Sequence, residues 1–444
     1  MSEEAGALDR RFELTARGTT LRTEVLAGVT TFLTMAYIIL VNPSILGAAG
    51  LPVAAVAAAT CIAAGFASIL MGLSANVPLA LAPGMGLNAY FTYTVVIGMG
   101  VPWPVALGCV FLSGIVFLLL TLAGIRQMIV AAIPPHLYAA VAGGIGLFIA
   151  LIGLENARIV TASPATLVTL GSLKEPGAAL ALFGLVLIAV LTAWRVRAAI
   201  LIGIVATTLA GWLAGIVSFA PQPYDLTAIT QTAFKLDLAG VFGLSGSHGL
   251  GLFEIIFVFL FVDLFDNLGT LMGVTKRAGL IDANGQVPKL KRILTTDSIA
   301  TIFGSLMGTS TVTSYVESAA GVQAGGRTGI TAIVTGVLFL GATFLAPWAQ
   351  LVPLAATAPA LILVGALMMA PLAEIDWHDP EIALPAFLTV AMIPLTFSIA
   401  NGLAFGITAY ALIKLLRGKI TKTDWLLLVL AGLFVARFVW LSAG

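Results

Sequence analysis

Apolar stretches, each long enough to cross a bilayer as a helix, follow one another along almost the whole of this chain. Crossing the hydrocarbon core takes about 20 helical residues, and a helix satisfies its own backbone hydrogen bonds where lipid cannot. Only 9% of the residues are charged, against about 25% in an ordinary soluble domain. We therefore predict an all-α polytopic membrane protein. Its fourteen segments are placed at residues 21–45, 52–74, 78–98, 104–124, 137–155, 177–195, 198–219, 251–275, 290–308, 311–325, 328–348, 353–373, 382–398 and 401–417, with a further apolar stretch at 424–442.

The loop charges predict the orientation. Lysine and arginine clusters follow even-numbered segments, and four arginines (Arg10, Arg11, Arg17 and Arg22) lie before or at the start of segment one. Positive loops favour the cytoplasm, so the N-terminal tail (1–20), which has no signal-peptide core, is predicted to be cytoplasmic and the protein to lie in the cell membrane. The polar stretch 218–248 divides the chain into halves of seven segments. Because seven is odd, the second half enters from the opposite side, as an inverted repeat.

Segments three and ten are unusual at matching places in the two halves. Pro83 and Thr311 lie 61 and 60 residues after Arg22 and Gly251, near the starts of segments one and eight. Both segments open with residues that make poor helix and then become helical. The pattern predicts a short strand followed by a half-helix in each, which in transporters marks the binding site. The alternative is a pair of chance glycine-rich kinks.

Segment eight carries carboxylates inside an apolar run. Asp263, Asp266, Asn267 and Thr270 recur at i, i+3, i+4 and i+7, which places them on one face of a helix. A carboxylate at the bilayer centre costs about 2.5–3.5 kcal/mol on insertion scales and usually marks a substrate or proton path. The stripe therefore predicts a functional face directed into the protein.

Two further polar residues are predicted to complete a pocket with Asp266. Glu317 lies at the start of the half-helix of segment ten, and Asn88 lies in that of segment three. Carboxylates accept and an amide donates hydrogen bonds, as a flat nitrogen heterocycle requires. Aromatic residues that could stack on such a ring are Phe265, Tyr315, Tyr90 and Phe91, although ordinary helix packing explains each of them equally well.

Three other polar residues lie in or near these segments. Two of them have both a functional and a structural interpretation, and the third has a structural one. Asp297 in segment nine could support the pocket from behind, or could satisfy the backbone of segment ten. Asp263 could relay a proton or form a structural hydrogen bond. Asn42, followed by Pro43, is expected to end the helix of segment one.

Several classes of protein are excluded. The chain has no GxxxxGK[ST], HExxH or GxSxG motif and no metal-ligand spacing of its histidines and cysteines, so we predict neither an enzyme nor a pump driven by ATP, and no cofactor or metal. No basic run suggests nucleic acid. An anion transporter or a channel stays an alternative. The first would need a positive site, and the second a polar path through more segments than eight to ten.

The strings APGMGLNAYF (82–91), FVDLFDNLGTLMGV (261–274), GTSTVTSYVESAAGV (308–322) and GGRTG (325–329) resemble those of the nucleobase–cation symporter 2 family, in its AzgA-like adenine/guanine/hypoxanthine permease branch. The resemblance covers nearly the whole chain. It implies proton-coupled import of purine nucleobases by an elevator-type movement, with the proton as coupling ion. It also implies a homodimer surrounded by membrane lipid.

The resemblance further implies a domain division and a set of site residues. Residues 21–124 and 251–348 would form the transport core, and residues 125–250 and 349–420 the gate and dimer contact. Asp266, Glu317 and Asn88 match the family's binding residues, and Asp297 matches an acid of segment nine. Thr270 stands where uracil and xanthine branches often place a histidine or an acid, which favours purines other than xanthine. The C-terminal stretch 421–444 is not explained by the fourteen-segment pattern.

Overall fold

The computed structural model describes residues 2–124, 134–217, 225–243, 255–264, 266–267, 270–271, 274–275, 278–280, 287, 289–421 and 424–441. These residues are mainly helical, and eight of their helices are long and apolar enough to cross a membrane. The all-α polytopic prediction is confirmed. Side chains of large apolar residues are exposed on the outside of the bundle, for example Leu119, Leu213 and Trp194. Such a surface suits a lipid environment.

The first half follows the predicted segments closely. Segment one forms two helices, and segment three a strand, a short α-helix and a π-helix. The bounds from segment one to segment seven are Leu21–Met35 with Ile38–Ala48, Val53–Ala75, β1 Leu81–Pro83 with Met85–Ala89 and Tyr90–Gly98, Trp103–Leu122, Pro135–Asn156, Pro176–Ala193 and Ala199–Leu213.

The second half repeats this order. The described part of segment eight begins with a helix at Ile255–Leu264. Segments nine to fourteen have the bounds Leu290–Met307, β4 Val312–Ser314 with Ser318–Gln323, Gly329–Ala342 with a 3₁₀ turn at Thr343–Leu351, Leu354–Met368 with a 3₁₀ turn at Ala370–Glu374, Pro380–Leu395 and Ile399–Leu416. The strand-plus-half-helix prediction for segments three and ten is confirmed.

Other elements lie outside the predicted segments. The N-terminal tail contains a helix at Ser2–Phe12, and a hairpin of β2 (Val160–Ser163) and β3 (Leu167–Leu170) joins segments five and six. The polar stretch before segment eight contains a 3₁₀ helix, Leu226–Gln231, and a short helix, Leu238–Gly243. The apolar C-terminal stretch forms a helix, Trp425–Leu441, which packs on segment fourteen and on segment eight, where the Phe434 and Phe257 rings lie 5.6 Å apart.

One expectation for segment one is wrong. Its helix does not end at Asn42 and Pro43 but continues to Ala48, and the interruption lies at residues 36 and 37. A proline in a membrane helix is tolerated when neighbouring groups satisfy the freed backbone. Asn42 supports the helix there, because its Nδ2 donates to the hydroxyl oxygens of Thr60 (2.8 Å) and Thr309 (2.9 Å).

The helices pack in two groups. Segments one, two, four, nine and eleven pack against one another, and segments five, six, seven, twelve, thirteen and fourteen form the second set. Segments two and eleven approach most closely through glycines, because a Cβ on Gly336 would lie 2.6 Å from the Gly65 carbonyl oxygen. Backbones in such close contact gain dispersion energy that lipid does not replace. The roles of the two groups as core and gate stay a prediction.

The glycine contact makes a testable prediction. Gly336→Ala should lower the melting temperature of the purified protein, because the added methyl overlaps the Gly65 carbonyl and Ile69, and overpacking costs about 1–3 kcal/mol. Gly341→Ala on the same helix is the control, since a Cβ there meets nothing within 4 Å and alanine is the better helix former. Equal melting temperatures for both variants would contradict the close packing.

Candidate functional site

The two broken segments meet as an antiparallel pair of strands inside the bundle. The register pairs Leu81 with Ser314, Ala82 with Thr313 and Pro83 with Val312. At one end the Gly84 N–H donates to the Thr311 carbonyl (2.9 Å), and at the other the Tyr315 N–H donates to the Ala80 carbonyl (3.0 Å). Each segment thus satisfies the backbone that the other leaves open, as irregular backbone at membrane depth requires.

Side chains satisfy the outer edges of this strand pair. Ser68 of segment two uses its hydroxyl twice, accepting from the Leu81 N–H (3.0 Å) and donating to the Leu81 carbonyl (3.1 Å). Thr301 of segment nine donates to the Val312 carbonyl (3.1 Å). Pro83 lies two residues after Leu81, so its nitrogen also faces away from the partner strand, where a missing N–H costs no ladder hydrogen bond.

Segment eight reaches the strand pair with the face that the sequence predicted. Asp266 Oδ2 lies 3.5 Å from the position that a Cβ on Gly84 would occupy, at the start of the segment-three half-helix. Asn267 lies against β4, where its Oδ1 accepts from the Ser314 hydroxyl (3.0 Å). A Cβ at residue 84 would overlap Thr313 Cγ2, which would lie only 2.7 Å away, so the glycine allows the close approach of segment three to β4 beside this carboxylate.

Glu317 lies immediately before the half-helix of segment ten. Its Oε1 accepts a hydrogen bond of 2.6 Å from the hydroxyl of Tyr37. Asp266 is close enough to both Glu317 and Asp297 for their charges to interact. The structure therefore brings together three of the acids that the sequence singled out.

The acids differ in exposure. Asp263 and Asp297 are buried, with 2% and 0% of their surface accessible. Asp266 and Glu317 are partly exposed, as is Thr270 one turn after Asp266. Partial exposure inside an apolar bundle marks side chains that border an accessible space, so of these four acids Asp266 and Glu317 are the ones that border it.

Asn88 lies fully buried beside segment ten. Its Oδ1 accepts from the Ser310 hydroxyl, and within the part of the chain that the structure describes, its Nδ2 makes no hydrogen bond. The Nδ2 of Asn267 is in the same condition. Both amides therefore lie against segment ten, or the residue just before it, with an unused buried donor.

The aromatic candidates have different surroundings. The Tyr315 hydroxyl donates to the Pro83 carbonyl (2.5 Å), so this buried ring bridges the two strands. Tyr90 and Phe91 are fully buried, and Tyr90 packs edge-on against Phe259 with 5.0 Å between ring centroids. Phe265 lies outside the described residues.

Sequence reasoning missed Tyr37. It lies in an apolar stretch, LTMAYIILV, where a tyrosine has no distinctive spacing to the other polar residues. A weak signal was available, because a phenol that is fully buried needs a hydrogen-bond partner. Nothing in the sequence identified Glu317, 280 residues away, as that partner.

Comparison with known proteins places this geometry in context. A family model described as a permease family, the xanthine/uracil permease model, matches residues 22–405. The chain is 46% identical to the adenine permease AdeP of Escherichia coli, covering 99% of this chain and 97% of that protein. It is 44% identical to the guanine/hypoxanthine permease PbuG of Bacillus subtilis, covering 97% and 99%.

Among solved structures, the transmembrane domain of a cyanobacterial bicarbonate transporter, BicA, has a similar fold. The TM-score is 0.65 at 16% identity, covering 87% of this chain and 97% of that one. The likeness shows that the chain has the inverted-repeat transporter fold, as predicted. At this identity it shows the fold alone.

Ser68 provides a test of the strand pair. Ser68→Ala should lower the melting temperature, because it leaves a buried N–H and a buried carbonyl of Leu81 without a partner, at about 1–3 kcal/mol for each unsatisfied group. The control is Ser113→Ala, whose hydroxyl donates only to a carbonyl of its own helix. A melting temperature of Ser68→Ala equal to that of the control would show that the strand edge does not depend on Ser68.

Proposed function

Because the chain belongs to the nucleobase–cation symporter 2 family of permeases, and is thus a transporter and not an enzyme, we propose that it imports purine nucleobases together with protons. The coupled import takes place across the cell membrane, with the N-terminus in the cytoplasm. The candidate substrates are adenine, guanine and hypoxanthine, which are the bases in the names of its relatives.

The observation that carries the proposal is the meeting of Asp266 and Glu317 at the crossing of the two broken segments. A neutral purine offers ring N–H donors together with ring-nitrogen or carbonyl acceptors. Carboxylate oxygens match the donors, and the amide Nδ2 of Asn88 matches an acceptor. A site built to hydrogen-bond a ligand rejects analogues that leave its polar groups unpaired, so this set favours a flat base over an inorganic ion.

Proton coupling follows from the charges. Within the described ranges, neither Asp266 nor Glu317 forms an ion pair, and Asp297 adds a further negative charge behind them. Neighbouring carboxylates in a medium of low dielectric constant repel each other unless one of them binds a proton. Asp266 is the proposed carrier, because Glu317 already accepts the Tyr37 hydrogen bond, which stabilises its charged form.

The proposed movement is of the elevator type. A proton on Asp266 removes its charge conflict with Glu317, and the base hydrogen-bonds to the remaining carboxylate. The core (21–124 and 251–348) then slides against the gate (125–250 and 349–420). Among the described residues, the polar contacts between these groups include the Thr94 hydroxyl donating to the Phe397 carbonyl (2.7 Å) and Arg197 donating to the Thr30 hydroxyl (3.1 Å). We propose that the gate also forms the contact of a homodimer.

The anion-transporter alternative has less support. The bicarbonate transporter shares the fold, but a fold hosts several functions and the site decides among them. An anion between Asp266 and Glu317 would face two acids and no cation among the described residues. The charge at this crossing therefore favours a neutral base with a proton.

Uptake measurements test the site. We expect Asp266→Asn and Glu317→Gln to reduce the uptake of labelled hypoxanthine and adenine at least tenfold, because a hydrogen bond to a charged group contributes about 1.5–3 kcal/mol. The host cells should lack their own purine permeases, and uptake should be normalised to the amount of protein in the membrane. Glu175→Gln, an exposed acid paired with Arg158 at 3.8 Å, is the control and should transport normally. Full uptake by both site variants would disprove the site.

Substrate and coupling are tested on the unaltered protein. Unlabelled adenine, guanine and hypoxanthine should compete with the labelled base, and uracil and xanthine should not. A protonophore that collapses the proton gradient should abolish accumulation while leaving equilibration intact. Accumulation that persists without a proton gradient would contradict proton symport.

A further inference from the structure

Tyr37 connects the interruption of segment one to the binding site. Its side chain is 1% exposed, and its hydroxyl donates to Oε1 of Glu317 at 2.6 Å. Hydrogen bonds to an ionised acceptor are short and about twice as strong as those between neutral groups. Of the hydrogen bonds that the Glu317 carboxylate accepts within the described part of the chain, this one comes from another segment, whereas its own backbone N–H supplies another.

The backbone around this contact is fixed by close packing. The segment-ten half-helix lies directly on segment one, because a Cβ on Gly321 would be 2.1 Å from Thr31 Oγ1 and 2.8 Å from the Ala27 carbonyl. Segment one then changes from one helix to the next at residues 36 and 37. The close packing of segment one on the segment-ten half-helix therefore holds Tyr37 and Glu317 next to each other.

We infer that Tyr37 is a positioning residue that reserves one oxygen of Glu317 for the protein and the other for the purine. This inference rests on the proposed function. A phenol has one proton to donate, and Tyr37 gives it to Oε1. The carboxylate also accepts a hydrogen bond from its own backbone N–H, and Oε2, which Tyr37 does not hold, keeps a lone pair for a ring N–H of the ligand.

The same bond assigns the place of a proton on Glu317. A carboxylic acid keeps one carbonyl oxygen, which still accepts a hydrogen bond, and carries its proton on the other. As long as Tyr37 donates to Oε1, a proton taken up by Glu317 lies on Oε2, in the position that the purine N–H would otherwise use. Base and proton thus compete for Oε2, which is consistent with Asp266 as the proton carrier. The titratable groups that face Glu317 are Tyr37, Tyr315 and Asp266.

The matched pair of variants is Tyr37→Phe and Tyr410→Phe. The second removes the hydroxyl of another buried tyrosine, in segment fourteen beside His136, far along the chain from the site. Initial rates of hypoxanthine uptake should be measured over a range of concentrations and normalised to membrane protein. For Tyr37→Phe we expect KM to rise about tenfold, as for loss of a hydrogen bond to a charged group, with the maximal rate per molecule within about twofold of the unaltered value. Tyr410→Phe should leave both parameters unchanged.

The outcomes separate this inference from the proposed function. An unchanged KM for Tyr37→Phe would overturn the positioning role. A fall in maximal rate alone would overturn it too, because a merely structural residue would give that result. If the unaltered protein shows no saturable purine uptake, the proposed function fails first. Should Tyr37→Phe not accumulate in the membrane, Tyr37→Met fills a similar volume without the hydroxyl and is judged by the same criteria.

Discussion

The pairing of β1 with β4 is the interaction on which the site depends. Two segments that stop being helical in mid-membrane leave N–H and C=O groups that lipid cannot satisfy. They satisfy each other, and the Ser68 and Thr301 hydroxyls complete the outer edges. The strand pair in turn fixes where both half-helices begin. The positions of Glu317 and of the Gly84 backbone that faces Asp266 follow from that pairing.

Much of this arrangement was predictable from the sequence, because membrane insertion makes its rules strict. Apolar length gave the segments, and the poor helix formers around Pro83 and Thr311 gave the two strands. The i, i+3, i+4 spacing gave the face of segment eight, which the structure brings to the strand pair through Asp266 and Asn267. Apolar length, poor helix formers and residue spacing can each be read from a short stretch of sequence, and the broken segment occurs once in each half of the chain.

What could not be predicted depends on contacts between distant residues. Pro43 is a helix breaker by its own chemistry, yet the helix continues through it to Ala48, and Asn42 bonds to Thr60 of segment two and to Thr309 just before segment ten. Tyr37 is an ordinary tyrosine in sequence, and its role appears only when Glu317 is found beside it. The sequence likewise left both roles of Asp297 open. Asp297 is fully buried and its charge interacts with that of Asp266, and its role stays a prediction.

The shared fold with a bicarbonate transporter separates architecture from cargo. Both chains have the inverted-repeat fold, so the fold cannot decide what is carried. The decision lies in a few side chains at the strand crossing, where this chain places acids. A carboxylate repels an anion. When no ligand is bound, its buried charge also costs free energy, unless a proton or a hydrogen-bond donor meets it. On the proposed mechanism that energetic cost makes the coupling strict, because the site can cross the membrane at low cost only when a proton has removed one carboxylate charge and a base has met the remaining carboxylate with a hydrogen bond.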